Sequence, residues 1–121
     1  MCFDQSSWQR SNYAKHNTPL DLLKASEGEI DERSRGRDSY YYPGVPVANV
    51  EQEIVASGSY VDSAKRTTVV KIKRFESPIG ASEGRPSLWG KIECASNNFH
   101  GRPISEREFE RLSAAAIECC D

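Results

Sequence analysis

The sequence predicts an α+β fold, in which a small antiparallel sheet of about three to four strands is packed by a C-terminal helix. A looser N-terminal segment is expected to carry one short helix. Three observations support this fold. Apolar and polar residues alternate in the middle of the chain, a helix-start signal precedes residue 106, and the apolar residues concentrate after residue 44. At 121 residues, the chain is long enough for one small domain.

The apolar residues divide the chain into two unequal parts. Of the 23 Leu, Ile, Val and Phe residues, five lie in residues 1–44 and eighteen in residues 45–121. A core needs buried apolar area, worth roughly 25 cal/mol per Å², to offset the entropy of the ordered chain. We therefore expect a compact α+β core over 45–121, and a partly irregular cover segment over 1–44, within a single domain.

The cover segment contains one helix-start signal. Thr18 is a capping residue, Pro19 suits the first helical position and Asp21 favours the first turn, which predicts a short helix at about 19–26. Residues 28–38 are polar and mixed in charge, which is typical of a loop or linker. The turn signal Tyr42-Pro43-Gly44 ends this part of the chain.

Three segments of the second part alternate as strands do. Residues 50–56 are predicted as a strand, although their glutamates also allow a helix. Residues 67–75 form the clearest strand, with Val70 and Ile72 on one face and Lys71 and Lys73 on the other, so one face is expected to be buried and the other basic. Residues 88–94 form another strand, whose polar face carries Trp89 and Lys91. The segments 76–87 and 97–103 are predicted to be loops.

The last helix has the strongest local signal. Ser105 and Glu108 have the spacing of a capping box, and Ile104 and Phe109 have the spacing of a hydrophobic staple. An apolar stripe follows at helical intervals. We predict a helix over about 105–119 that packs on the apolar face of the sheet.

The cysteines and histidines offer one alternative chemistry. Cys94, Cys119, Cys120 and His100 have the donor atoms of a zinc site, but their spacing matches no usual zinc pattern. Cys94, on the predicted inward face of its strand, is expected to be an inert thiol. The sequence also contains no phosphate-binding glycine loop. We therefore expect no cofactor and no enzyme, and keep a metal- or thiol-dependent enzyme centred on Cys94 and His100 as an alternative.

The net charge of −2 conceals a basic middle segment. Residues 65–91 carry a net charge of +5, whereas residues 1–60 and 105–121 each carry −3. A basic strand face with a tryptophan is suited to nucleic-acid phosphates and bases. Strand lysines are more often solvated residues that discourage aggregation. Trp, Tyr and Arg are also the residue types enriched at protein interfaces. The candidate binding residues are Tyr40, Tyr41, Tyr42, Lys71, Lys73, Arg74, Trp89 and Lys91.

These observations lead to one functional expectation and two alternatives. We expect a non-catalytic protein-binding module, such as a small bacterial or phage regulator or inhibitor, that occludes a surface of a partner protein. The first alternative is a nucleic-acid-binding regulator that uses the basic strand face, and the second is the Cys94/His100 enzyme. The start of the chain has no basic and apolar signal segment and no apolar run spans a membrane, so we expect a cytoplasmic protein with no membrane partner. The oligomeric state stays open.

Overall fold

The computed structural model describes residues 5–11, 16–36, 38–63 and 67–117. In this part of the chain a 3-10 helix covers Leu20–Leu22, and the α-helices are α1 (Glu27–Arg33), α2 (Val47–Ser57) and α3 (Glu106–Ser113). The strands are β1 (Gln9–Arg10), β2 (Ser39–Tyr41), β3 (Ser59–Val61), β4 (Thr68–Arg74), β5 (Gly80–Ser82), β6 (Arg85–Ser87), β7 (Trp89–Ala95), β8 (Asn98–Ile104) and β9 (Ala116–Ile117).

The strands form two sheets. A six-stranded mixed sheet has the order β1-β8-β7-β4-β3-β9, in which β1 pairs with β8 in parallel and the other neighbours are antiparallel. A three-stranded antiparallel sheet has the order β2-β5-β6. The α+β class is confirmed, whereas the single sheet of three to four strands was too small.

Three strands that the sequence analysis predicted to be loops belong to two hairpins with tight turns. The predicted loop 76–87 contains β5 and β6, and the predicted loop 97–103 lies largely within β8. Each hairpin closes through two residues with positive φ: Glu83-Gly84 joins β5 to β6, and Ser96-Asn97 joins β7 to β8. Positive φ at both positions is the geometry that matches strand twist, but Asn-Gly is its usual sequence signal. Neither turn carries that signal.

The predicted strand over 50–56 is wrong, because α2 occupies this segment. Val50, Glu51, Ile54 and Val55 are buried, and their spacing places them on one face of a helix. Over a run of only seven residues, the alternation of apolar and polar residues did not distinguish a strand from a helix. The strand predicted over 67–75 is confirmed as β4, and the strand predicted over 88–94 as β7.

Both faces of the large sheet are covered. On one face, α2 packs against β7 and β4 in a cluster that includes Ile54, Ile92 and Phe99. On the other face, Phe109 and Leu112 of α3 pack against a cluster that includes Ile72. The prediction that β4 has one buried and one basic face is therefore wrong. The face that carries Lys71 and Lys73 is covered by α2, a helix in a segment that was predicted to be a strand.

The N-terminal part supplies strands to both sheets and several core residues. The short helix predicted at about 19–26 is a 3-10 helix over Leu20–Leu22, and α1 begins at Glu27 and covers the first half of the predicted linker 28–38. Ser26 and Glu29 form the capping box that begins α1. Leu22 and Ile30 pack with Tyr42 against the small sheet. The division at residue 44 stays a prediction.

The C-terminal helix begins where the sequence indicates. Ser105 is its N-cap, and the Ser105 hydroxyl accepts a hydrogen bond from the amide of Glu108 at 3.1 Å. The helix is shorter than predicted, because it ends at Ser113 and the chain then pairs as β9 with β3. Residues 118–119 of the predicted helix lie outside the described residues.

A buried carboxylate joins the elements that meet at the core. Glu51 on α2 is 2% exposed. It accepts hydrogen bonds from Arg10 Nε at 2.9 Å, from the Tyr41 hydroxyl at 2.8 Å and from the Gly101 amide at 3.1 Å. One side chain thus connects α2 to β1, β2 and β8.

Replacing Glu51 with alanine is expected to lower the free energy of unfolding by about 3–5 kcal/mol, because Arg10 would lose its partner and two buried donors would lose their acceptor. Urea unfolding followed by circular dichroism measures this loss. Glu53→Ala, on the exposed side of the same helix, is the matched control and should change stability by no more than about 0.5 kcal/mol. Equal stability of the two variants would contradict the connecting role of Glu51.

Candidate functional site

The lysines of the predicted basic face do not share one surface. Lys71 pairs with Ile92, and Lys91 pairs with Ile72, so Lys71 and Lys91 lie on opposite faces of the sheet. Lys71 is 3% exposed; its Nζ donates to the carbonyl oxygen of Val55 at 2.5 Å and lies 4.5 Å from the centre of the Tyr60 ring. Burial lowers the pKa of Lys71. Lys71 therefore belongs to the core under α2, which corrects its placement on a binding face.

The other strand candidates are at least partly accessible. Lys73 is half-buried with its Nζ 5.9 Å from the Phe75 ring, and Arg74 is exposed. Trp89 lies on the α3 side of the sheet, where its ring centre is 6.2 Å from that of Phe109. Trp89 and Lys91 therefore share a face, whereas Lys73 lies behind it.

The tyrosine run is mostly internal. Tyr41 and Tyr42 are buried, and their hydroxyl groups donate to Glu51 at 2.8 Å and to Asp31 at 2.5 Å. Burial, followed by these carboxylates, raises the pKa of both tyrosines. Only Tyr40 of the three is half-buried. The prediction that Tyr41 and Tyr42 anchor a partner is therefore wrong. Tyr41 connects the small sheet to α2, and Tyr42 connects it to α1.

The Cys94/His100 arrangement is not formed. Cys94 pairs with Phe99 and Glu93 pairs with His100, so the thiol and the imidazole lie on opposite faces of the sheet. Cys94 is buried, and burial raises the pKa of its thiol. Cys119 and Cys120 lie outside the described residues, and within the described ranges no three His, Cys, Asp or Glu side chains are placed to hold a metal ion.

The structure instead brings the chain's two histidines to one cavity of about 140 Å³. This histidine pocket is lined by His16, Lys91, Glu93, His100, Gly101 and Arg102. Four of these side chains come from adjacent strands, where Lys91 pairs with Arg102 and Glu93 with His100. His16, which precedes the 3-10 helix, closes the group from another part of the chain.

His16 is held against Ser39 at the start of β2. Its Nδ1 lies 3.0 Å from the carbonyl oxygen of Ser39 and 3.2 Å from the Ser39 hydroxyl. Because a carbonyl oxygen only accepts hydrogen bonds, Nδ1 carries a hydrogen in this arrangement.

Glu108 of α3 holds the two cations of the pocket. Arg102 donates to both carboxylate oxygens of Glu108, at 3.1 and 2.7 Å, and Lys91 Nζ lies 3.7 Å from the same carboxylate. The Lys91 side chain is 13% exposed and also lies 3.1 Å from Glu93. Burial raises the pKa of Glu93, but the hydrogen bond and charge of Lys91 and the charges of His100 and Arg102 outweigh it, so that the pKa lies below its usual value.

A longer groove runs beside this pocket, between α3 and the β5–β6 hairpin. It consists of two clefts of about 580 Å³ each, which share Ser82, Glu83, Ser105 and Arg107. One cleft reaches His16 and Arg102, and the other reaches Trp89. We call this feature the α3 groove; its full lining is His16, Ser82, Glu83, Arg85, Pro86, Trp89, Arg102, Ser105, Glu106, Arg107, Glu108, Glu110 and Arg111.

Comparisons with protein-family models, curated proteins and solved structures give no match. None of the helices in the described ranges is long and apolar enough to cross a membrane. The geometry of the pocket and the groove is therefore the basis for inferring a function.

The histidine pocket had a weak signal in the sequence. Lys91 and Glu93 alternate before Ser96-Asn97, and His100 and Arg102 alternate after it, which is the pattern of two charged strand faces around a turn. Recognising Ser96-Asn97 as a hairpin turn would have placed these four residues together. The approach of His16 depends on tertiary packing and has no local signal.

Replacing Lys71 with glutamate is expected to lower the free energy of unfolding by about 3 kcal/mol or more, because the new carboxylate would be buried against the carbonyl oxygen of Val55. Thermal or urea unfolding measures the change. Lys73→Glu, two residues along on the same face, is the matched control, with an expected loss of no more than about 1 kcal/mol. If both variants were equally stable, the buried position of Lys71 would be contradicted.

Replacing Glu93 with glutamine is expected to destabilise the protein at neutral pH but not in acid. The folded-state pKa of Glu93 is lowered from 4.5, so its ionised form stabilises the fold above pH 4.5. This contribution is lost as the pH falls below 4.5 through the lower folded-state pKa. The measurement is the stability difference between variant and parent at about pH 7 and about pH 3. The exposed Glu76→Gln should show no such change, and a pH-independent difference for Glu93→Gln would refute the prediction.

Proposed function

We propose that the protein is a non-catalytic binding module, a regulator or inhibitor that recognises a partner protein through the α3 groove and thereby covers a surface of that partner. The observation that carries this proposal is the groove itself, in which a tryptophan and several arginines line two connected clefts. Trp and Arg are the residue types that most often dominate binding energy at protein interfaces.

The dimensions of the groove suit an extended segment of a partner. Each cleft of about 580 Å³ is within the range of small-ligand sites, about 300–1,000 Å³, and the two together are longer than one such site. Where the two clefts meet, the Arg107 guanidinium lies 3.3 Å from the Glu83 carboxylate. Because the Arg107 side chain is 88% exposed, this ion pair is weak and can part to admit a ligand.

The charges differ between the two ends of the groove. At the His16 end, three arginines face two glutamates: Arg102, Arg107 and Arg111 against Glu83 and Glu108. At the Trp89 end, two arginines face three glutamates: Arg85 and Arg107 against Glu83, Glu106 and Glu110. The complementary segment would therefore present an acidic group at the His16 end, and a basic residue beside an apolar side chain on Trp89.

This balance favours a protein segment over nucleic acid. Across the whole groove, four arginines are opposed by four glutamates. A nucleic-acid strand carries a charge at every phosphate and binds where cations are in excess. The strand lysines do not supply that excess. Lys71 is in the core, Lys73 is on the opposite face, and Lys91 is paired with Glu93.

Replacing Arg107 with glutamate is expected to weaken partner binding by about 30-fold or more, because it reverses a charge at the centre of the groove. This factor corresponds to the loss of one binding hot spot, about 2 kcal/mol. The full chain serves as bait in nuclease-treated lysate, and the affinity for a captured protein is then measured by calorimetry. Arg35→Glu, which reverses an exposed arginine outside the groove, is the matched control.

A protein that binds the parent and Arg35→Glu but not Arg107→Glu supports the proposal. A protein that binds all three with equal affinity contradicts it, as does the absence of any captured protein. A partner lost on nuclease treatment would favour the nucleic-acid alternative instead.

A further inference from the structure

The histidine pocket contains two cations, Lys91 and Arg102, on adjacent strands. Lys91 and Arg102 lie directly opposite each other on adjacent strands, a placement of like charges that costs stability. Both side chains are half-buried, at 13% and 29% exposure. The fold nevertheless holds them together on one wall of a cavity that also contains both histidines.

We propose that the histidine pocket is an oxyanion site, which binds a carboxylate or phosphate group of the partner and takes up protons on His16 and His100 as it does so. The inference deepens the proposed function in one respect, since it assigns the oxyanion to the partner segment. Binding of the oxyanion itself is independent of the groove.

The donor capacity of the pocket supports this assignment. An ammonium group has three N–H donors and a guanidinium group has five. Glu93 and Glu108 contact Lys91, and Glu108 takes two hydrogen bonds from Arg102. The carboxylates therefore use only part of this capacity while they fix the positions of both cations, which preorganises the donors for a ligand.

The volume of the cavity limits the ligand to a single group. At about 140 Å³, the cavity is several times the space of one water molecule, about 30 Å³. A carboxylate or a phosphate group fits this space, whereas a whole nucleotide or a peptide does not. The adjoining cleft of the α3 groove shares His16 and Arg102, so a group in the pocket can belong to a segment in the groove.

The charge of the pocket depends on its histidines. With both imidazoles neutral, Lys91 and Arg102 are balanced by Glu93 and Glu108. Each proton taken up by His16 or His100 adds one positive charge, and histidine side chains in general exchange protons between about pH 5 and 8. Among the described residues, the charged groups that line the pocket and its adjoining cleft with the histidines are Lys91 and Glu93 on β7, Arg102 on β8, Glu108, Arg107 and Arg111 on α3, and Glu83 in the β5–β6 turn.

The test follows the imidazole resonances of the full chain by NMR during titration with sulfate and with acetate. Sulfate represents the phosphate group, and its charge does not change over the pH range used. Both histidines are expected to respond, and the dissociation constant should be at least about tenfold lower at pH 5.5 than at pH 8, as the uptake of one proton requires. Stronger binding of sulfate identifies phosphate as the source, and stronger binding of acetate identifies a carboxylate.

Two variants on different elements keep the test decisive if one of them fails to fold. His100→Gln on β8 and His16→Gln before the 3-10 helix should each weaken sulfate binding at pH 5.5 by about tenfold, because each removes one positive charge from the pocket. Lys73→Gln, on the opposite face of the sheet, is the control and should bind as the parent does.

Two outcomes would overturn the oxyanion site: no response of either histidine to sulfate or acetate, or binding of equal strength at both pH values. Sulfate binding without any captured partner would leave the pocket in place and remove the groove. Partner capture without binding of sulfate or acetate would leave the groove in place and remove the pocket.

Discussion

The arrangement of the core depends on the buried carboxylate of Glu51. It accepts hydrogen bonds from β1, β2 and β8, and so it fixes the helix α2 against three strands at once. A buried charge is tolerated only when it is paired and hydrogen-bonded, and Arg10, Tyr41 and Gly101 meet that requirement. Gly101 is also constrained sterically, because a Cβ atom there would lie 2.7 Å from the carbonyl oxygen of Lys91 and 3.1 Å from Glu51 Oε2.

This contact also supports the pocket on the other face of the sheet. Gly101 lies between His100 and Arg102, whose side chains point away from Glu51. The hydrogen bond from the Gly101 amide therefore holds, from behind, the backbone that carries two residues of the histidine pocket. The same strand alternation places Lys71 in the core and Lys91 in the pocket, so the basic segment 65–91 does not form one basic surface.

Helix α3 and strand β4 were located correctly from local signals in the sequence. Ser105 with the following apolar stripe located the start of α3, and the alternation around Ile72 located β4. The strands β5, β6 and β8 lacked such signals, because Glu83-Gly84 and Ser96-Asn97 adopt positive φ without the usual turn residues. Helix α2 was misread because its burial depends on the sheet beneath it. The histidine pocket depends on the β7–β8 register and on the position of His16, which are both tertiary properties.

Glu108 has one role that the sequence predicted, in the helix cap, and a second role that depends on the tertiary structure. Its amide completes the predicted cap with Ser105, but its carboxylate binds Arg102 and approaches Lys91. The first turn of α3 therefore contributes both a wall of the groove and the counter-charge of the pocket. Since Arg102 also lines both sites, a ligand that draws Arg102 or Glu108 toward the groove changes the charge balance in the pocket. Linkage requires the reverse as well, so proton uptake by the histidines would alter the affinity of the groove for an acidic segment.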